Sequence, residues 1–384
     1  MNLFSNPWDN PYSPYYLVDD KKYYSPFEAR RAIKESGTTN YRYVFLENVY
    51  DKLDWTKEPT ESWDQLCLQR ALQLRQKYKK LKLLWSGGSD SGHVWRIFEQ
   101  NNIPIDELVM LYTDWHPLRA IEYRDYMLPL ALDMVKRHPH MKIREIKLNE
   151  SQFNYLMLGD NFFEGSESRI TNTVYLPHHF AHGLVTQDPD GDNLNTGYIL
   201  GLEKPNLMIR GGNFIFVNHD IEGKWWIYNM PNLEYFYWAP DLPELFLKQC
   251  WLQINYIEQH YPDADAEFMK KFQDAKGLYY SEFCDATGRG NIICQQLGDG
   301  KNKSHDNYHW SIQKTIAYGR DSDLKSFHTW NYAMQTLKKE NSDMFVDGDP
   351  HKGFLPIFGK QYFIKIHSQS CAHDQHGSSQ NLCR

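Results

Sequence analysis

Residues 81–92 read Leu-Lys-Leu-Leu-Trp-Ser-Gly-Gly-Ser-Asp-Ser-Gly, an apolar strand that runs straight into a small-residue loop at the start of a helix. This junction constrains the fold more than any other stretch. A strand followed at once by a helix is half of a crossover unit, and crossover units build parallel sheets. The pattern continues downstream: residues 108–113 and 141–148 read as strands, and residues 91–101 and 118–138 carry helical spacing between them. The expected fold class is therefore α/β, a parallel twisted sheet flanked by helices. Right-handed crossovers place the helices on the sheet faces, and ligands of such sheets sit at the carboxyl ends of the strands.

Around that core the chain changes character. Residues 41–47 look like a strand, and Trp63, Leu66, Cys67, Ala71, Leu74 and Tyr78 fall on one helical face, so residues 1–80 are expected to form an N-terminal α/β extension. Residues 81–230 make the sheet domain, with a strand at 196–200 and Gly211-Gly212 as a hairpin turn before the apolar run 213–218. Helical spacing at 242–260 and 264–275 points to a mainly helical region over 231–367, and the polar tail 368–384 has the composition of a disordered segment.

The loop itself is an anion cradle. Gly87 and Gly88 let the backbone turn tightly, while Ser86, Ser89 and Ser91 add hydroxyls beside the first amides of the following helix. Phosphate is the natural guest. A Walker loop does not fit, because His93 and Val94 stand where Lys and Ser/Thr are required, and Asp90 inside the loop argues for a bound metal.

The hexapeptide Ser-Gly-Gly-Ser-Asp-Ser at 86–91 resembles the SGGxDS pyrophosphate loop of the N-type ATP pyrophosphatases, or PP-loop proteins. That superfamily includes the asparagine, GMP and argininosuccinate synthetases, tRNA lysidine synthetase and 7-cyano-7-deazaguanine synthase. The resemblance implies a HUP-like sheet with ATP and Mg2+ as ligands, residues Ser86 to Ser91 on the β,γ-pyrophosphate, and Asp90 as metal ligand. It also implies that Tyr112, Thr113 and Asp114, at the end of the next strand, lie beside adenine and ribose. An acid at a strand end is as often a helix cap or a solvated turn. Residues 201–210 loosely resemble the later GxRxxES…R pattern of sulfonucleotide reductases, which makes Lys204 and Arg210 the candidate cations for the phosphates. Glu203 and Pro205 depart from that pattern.

The implied chemistry is adenylation of an acceptor with release of pyrophosphate, followed by displacement of AMP. Met1-Asn2 lacks the amino-terminal Cys used by asparagine synthetases, so free ammonia, an amine or a partner amidase is expected to supply nitrogen. The acceptor is a small molecule of open identity, and a tRNA substrate stays open beside it. Two alternatives stand: a nucleotide-binding module that regulates a partner without turnover, and a sulfonucleotide-reductase-like enzyme. The latter would need Cys383 as nucleophile, without the ECGLH sequence of that family.

A net charge of −7 argues against a non-specific nucleic-acid binder. The one dense basic run, Lys77 to Lys82, reads as a solvated helix end. Six cysteines without a framework fit reduced thiols. The amino terminus carries no basic and apolar leader pattern, and no stretch approaches 18 apolar residues; the expectation is a cytoplasmic protein without a membrane partner. His178 and His182 would share a helix face, but His179 stands where a zincin needs Glu, so packing or substrate contact is the expected role. His367, Cys371, His373, His376 and Cys383 could ligate zinc, yet their spacing matches no zinc motif. The aromatic stretch 235–243 suits either a stacking wall over a planar substrate or core packing.

Overall fold

The computed structural model describes residues 14–23, 26–113, 123–148, 188–191, 193–201, 205, 207–219, 232–269, 339, 342–348 and 355–367. Its centre is a five-stranded sheet of β4 (Lys80–Leu84), β5 (Glu107–Thr113), β6 (Lys142–Leu148), β7 (Thr196–Leu200) and β10 (Leu233–Tyr235), in the order β6-β5-β4-β7-β10. Every pair is parallel. The chain winds outward from β4 to β5 and β6, then returns to the other side for β7 and β10. This is the 3-2-1-4-5 order of a doubly wound sheet, and its switch point lies between β4 and β7.

The inner strands are buried on both faces, as a sheet covered by helices requires: Leu81, Leu83, Leu108, Val109, Tyr198 and Ile199 are fully enclosed, whereas the edge strand β6 exposes Lys142, Glu145 and Lys147. α4 (Ser89–Gln100) links β4 to β5, and α5 (Leu128–Arg137) precedes β6 after a π turn at Tyr123–Met127. α3 (Trp63–Lys77) leads into β4 and packs against α4 and α6 (Pro243–His260). It starts on a capping box: Ser62 Oγ accepts from the Gln65 amide at 3.2 Å, and Gln65 Oε1 accepts from the Ser62 amide at 2.8 Å.

Two small antiparallel sheets adjoin this core. β1 (Tyr15–Val18), β2 (Lys21–Tyr23) and β3 (Tyr41–Val44) form one in the order β2-β1-β3; between β2 and β3 runs α1 (Pro26–Ser36), and the short α2 (Glu47–Tyr50) follows β3. β8 (Leu207–Arg210), β9 (Asn213–His219) and β11 (Phe358–Ile366) form the other, in the order β11-β9-β8. The β8-β9 hairpin turns on Gly211 and Gly212, whose φ values of 57° and 73° are those a tight primed turn needs. β11 passes so near β3 that a Cβ on Gly359 would land on the carbonyl oxygens of Tyr43 and Asn218. Between them, Tyr50, Trp55, Phe216, Trp238, Phe246 and Tyr362 pack ring on ring at centroid distances of 4.2 to 6.4 Å.

The expected boundary near residue 230 does not interrupt the sheet, because β10 continues it beside β7. The described residues beyond 231 hold the long helix α6, and they also hold β10 and β11, each paired with a strand from before residue 230. A three-residue strand such as β10 is too short to show a period of its own. Among the described residues no helix is long and apolar enough to cross a membrane.

Candidate functional site

β4 delivers the chain to the switch point. The Trp85 amide donates to the Val109 carbonyl at 2.9 Å, and its buried indole donates to the Met127 carbonyl at 3.1 Å, which ties the strand end to the start of α5. Gly87 then takes φ 71°, a conformation open to glycine and costly for other residues. Gly88, extended at φ −83° and ψ 175°, is the N-cap of α4, and no side chain caps that helix.

Inside the loop the serines divide their work. Ser91 is buried, and its Oγ accepts from the Ser86 amide at 3.3 Å, contacts Ser86 Oγ at 3.1 Å and donates to the Gly88 carbonyl at 3.3 Å. It staples the turn. Ser86 is exposed and its Oγ accepts from the Gly88 amide at 3.3 Å. Asp90, in the first turn of α4, is half-buried; its charge suits the positive end of the helix dipole whether or not a metal binds. The Ser89 side chain lies outside the described residues. A Cβ on Gly88 would sit 3.3 Å from Ser86 Oγ, tighter than most such contacts, so the glycine leaves room beside that hydroxyl.

The other half of the sheet closes on this turn. Gly201, directly after β7, lies against the backbone of α4: a Cβ there would stand 2.9 Å from the Asp90 carbonyl oxygen and 3.1 Å from Val94 Cγ2. The sequence marks Gly201 only as the start of a loose motif, and the contact that demands glycine is a tertiary one.

The remaining candidates are spread over several elements. Tyr112 sits at the end of β5, half-buried, with its ring stacked on Tyr123 at 3.9 Å and 14°. Thr113 ends the same strand, its side chain outside the described residues, as are Asp114 and Lys204 altogether. Arg210 ends β8 on the antiparallel sheet, exposed, and its guanidinium donates to Gln361 Oε1 at 3.3 Å. His178, His179 and His182 lie outside the described residues, as do Cys371, His373, His376 and Cys383. His367 is buried, its ring 5.1 Å from Phe214. Among the described residues no three His, Cys, Asp or Glu side chains cluster as metal ligands, and Cys67 and Cys250 are buried. Tyr235, Phe236, Tyr237 and Trp238 are all buried, so core packing accounts for that stretch.

The basic run behaves otherwise than expected. Residues 77–82 straddle the end of α3 and the start of β4, and the two-residue strand period turns Lys80 and Lys82 to one face. Lys82 is fully buried. Its Nζ reaches both oxygens of Asp188 at 2.7 Å, Glu107 at 3.0 Å and Asp190 at 2.9 Å. Arg144 reaches Glu107 at 2.6 Å and Lys80 reaches Asp190 at 2.5 Å. Lys77 bonds Glu234 at 2.5 Å. Only the outer part of the run is solvated. A matching centre surrounds buried Arg70, which donates to Glu234 at 2.8 Å, Asp241 at 3.0 Å and the Tyr235 carbonyl at 3.0 Å.

Asp190 carries a pH consequence. The hydrogen bond from Lys80 first, against a desolvation penalty, and then the bond and charge of Lys82 hold its carboxyl down to about 2. A depressed carboxylate contributes stability above its unfolded pKa, about 3.9, and that contribution is lost as pH falls through the folded value. Urea midpoints measured from pH 5 to pH 2 should therefore fall less steeply in Asp190→Asn than in wild type. Parallel curves would exclude this linkage.

No family model matches the chain, and no curated protein matches it in sequence.

Proposed function

We propose that the protein is an ATP pyrophosphatase of the PP-loop type. The observation that carries this reading is the coincidence of the SGGSDS loop with the switch point of a doubly wound parallel sheet, where such folds bind nucleotides. In this reading Ser86 and the backbone of Gly87, Gly88 and Ser89 bind the β,γ-phosphates, with Ser91 holding the loop's shape. Asp90 would hold magnesium, which when bound neutralises charge on the phosphate oxygens. Tyr112, Thr113 and Asp114 flank the nucleoside. Lys204, three residues past the contact at Gly201, is favoured over Arg210 as the cation for the phosphates, since Arg210 already bonds Gln361 on another sheet.

The reaction follows from the donors. An acceptor oxygen attacks the α-phosphorus, the bond to the β-phosphate oxygen breaks, and pyrophosphate leaves with its charge stabilised by loop amides and hydroxyls. Losing one such donor typically costs about 10²–10³ in rate. Ammonia, an amine or another nucleophile then displaces AMP from the acceptor. A regulatory nucleotide-binding module is the second reading, favoured by the same loop if turnover is absent; a sulfonucleotide-reductase-like activity would rest on Cys383 alone.

Calorimetry with Mg-ATP, followed by product analysis with candidate acceptors, tests the proposal. AMP and pyrophosphate are expected, and Asp90→Ala should weaken magnesium-dependent binding by about 10-fold or more, the scale of a lost charge-assisted contact. ADP and orthophosphate would refute the PP-loop reading. Tight binding without products would favour the regulatory module.

A further inference from the structure

Behind the loop, three buried rings from three separate segments form one hydrogen-bonded series. Trp63 opens α3, His93 lies one turn into α4, and Tyr237 follows β10. Trp63 and His93 stack at 5.7 Å, His93 and Tyr237 at 5.9 Å, and Trp63 and Tyr237 at 5.9 Å with an 8° interplanar angle. The indole can only donate, and its Nε1 lies 3.4 Å from His93 Nε2. His93 Nε2 is therefore the acceptor and Nδ1 carries the proton. That proton goes to the Tyr237 hydroxyl at 2.7 Å, which leaves the hydroxyl's own proton for the Asp90 carbonyl at 3.5 Å. One donor-only group at the far end thus sets the direction of every bond in the series.

The Asp90 carbonyl already serves the α-helix ladder through one lone pair, so the tyrosine adds a second, external hold on the same peptide. That peptide lies in the first turn of α4, and Gly201 packs close to the same carbonyl. We infer that His93 and Tyr237 are positioning residues for the Ser86–Ser91 loop, fixing the rotation of the Asp90 peptide and with it the direction of the first-turn amides and the Asp90 carboxylate. The inference rests on the ATP reading only for what the loop binds. That the pair orders the loop does not depend on it. Packing alone would need only the rings.

Tyr237→Phe removes the hydroxyl and keeps the ring. His93→Phe removes both nitrogens, whereas His93→Gln keeps one amide oxygen to accept from Trp63 and an amide nitrogen to donate to Tyr237. In the full-length protein without nucleotide, amide hydrogen exchange over residues 86–92 should accelerate by about 3- to 10-fold in Tyr237→Phe and His93→Phe, the scale of one net hydrogen bond, and stay near wild type in His93→Gln. Exchange elsewhere and the melting temperature should hardly move. Mg-ATP affinity should fall by a similar factor in the same two variants.

Unchanged loop exchange in Tyr237→Phe overturns the inference. A rise spread over the whole chain with a lower melting temperature overturns it too, because the rings would then be core packing alone. Loop-confined acceleration in a protein that does not bind Mg-ATP at all would uphold the positioning role and remove the ATP reading, so the two failures are told apart.

Discussion

Lys82→Met should destabilise the protein by about 3–5 kcal/mol, the scale of breaking a buried ion pair from one side. Methionine keeps most of the lysine stem, so the loss would not come from a cavity. It comes from Asp188 and Glu107, whose side chains are 0% and 1% exposed and would be left without the ammonium between them. Arg144, 3.4 Å from Asp188, makes up only part of the difference. Urea denaturation of the variant gives the number, and Lys82→Met with Asp188→Asn should recover much of it, because the stranded carboxylate is then gone. A loss under about 1 kcal/mol would mean that the carboxylates find water or other cations, and the cluster would not hold the segment at 188–191 in place. Mg-ATP affinity should stay close to wild type. The cluster occupies the amino-terminal half of the strands, and the loop leaves β4 at its carboxyl end.

The largest effect on ligand binding is expected from Gly201→Ala. The added methyl would stand 2.9 Å from the Asp90 carbonyl oxygen and 3.0 Å from its carbon, both backbone atoms at the start of a helix, which cannot swing aside as a side-chain tip would. Either β7 or the first turn of α4 must shift. Overpacking of this kind costs about 1–3 kcal/mol in stability, so the variant should still fold cooperatively. A displaced first turn would misdirect the amides that face the phosphates in the proposed ATP complex, and Mg-ATP affinity should fall by about 10-fold or more. Gly211→Ala is the control. It has positive φ, 57°, and open space around it, so it should cost some stability at the hairpin and leave nucleotide affinity unchanged. Equal affinity in Gly201→Ala and wild type would refute the view that β7 helps to shape the loop.

Much of the central sheet was legible in the sequence because its signals are local. The runs at 80–84 and 107–113 are apolar enough to be strands, 142–148 follows them in the same strand–helix alternation, the helices between them carry their own periodicity, and Gly211-Gly212 dictates its hairpin with no help from distant residues. The loop was legible for the same reason, since two glycines followed by small hydroxyl residues at a strand end leave few other conformations.

What lies behind the loop was not legible. His93 appears in the sequence only as a residue that spoils a Walker motif, and its partner Tyr237 stands 144 positions away. Lys82 sits in a basic run that reads as solvated, and the aspartate that buries it lies 106 positions further along. Arg70, on the buried stripe of α3, meets Glu234 across 164 positions. By itself the sequence determined most strands and helices of the central sheet and where a tight glycine turn must form, because backbone preference and burial period act within a few residues. Only the tertiary structure decided that β10 completes the sheet, which charges are buried together, and which rings back the loop. A side chain's period says that it points inward, and only the packed chain supplies the group that it meets there.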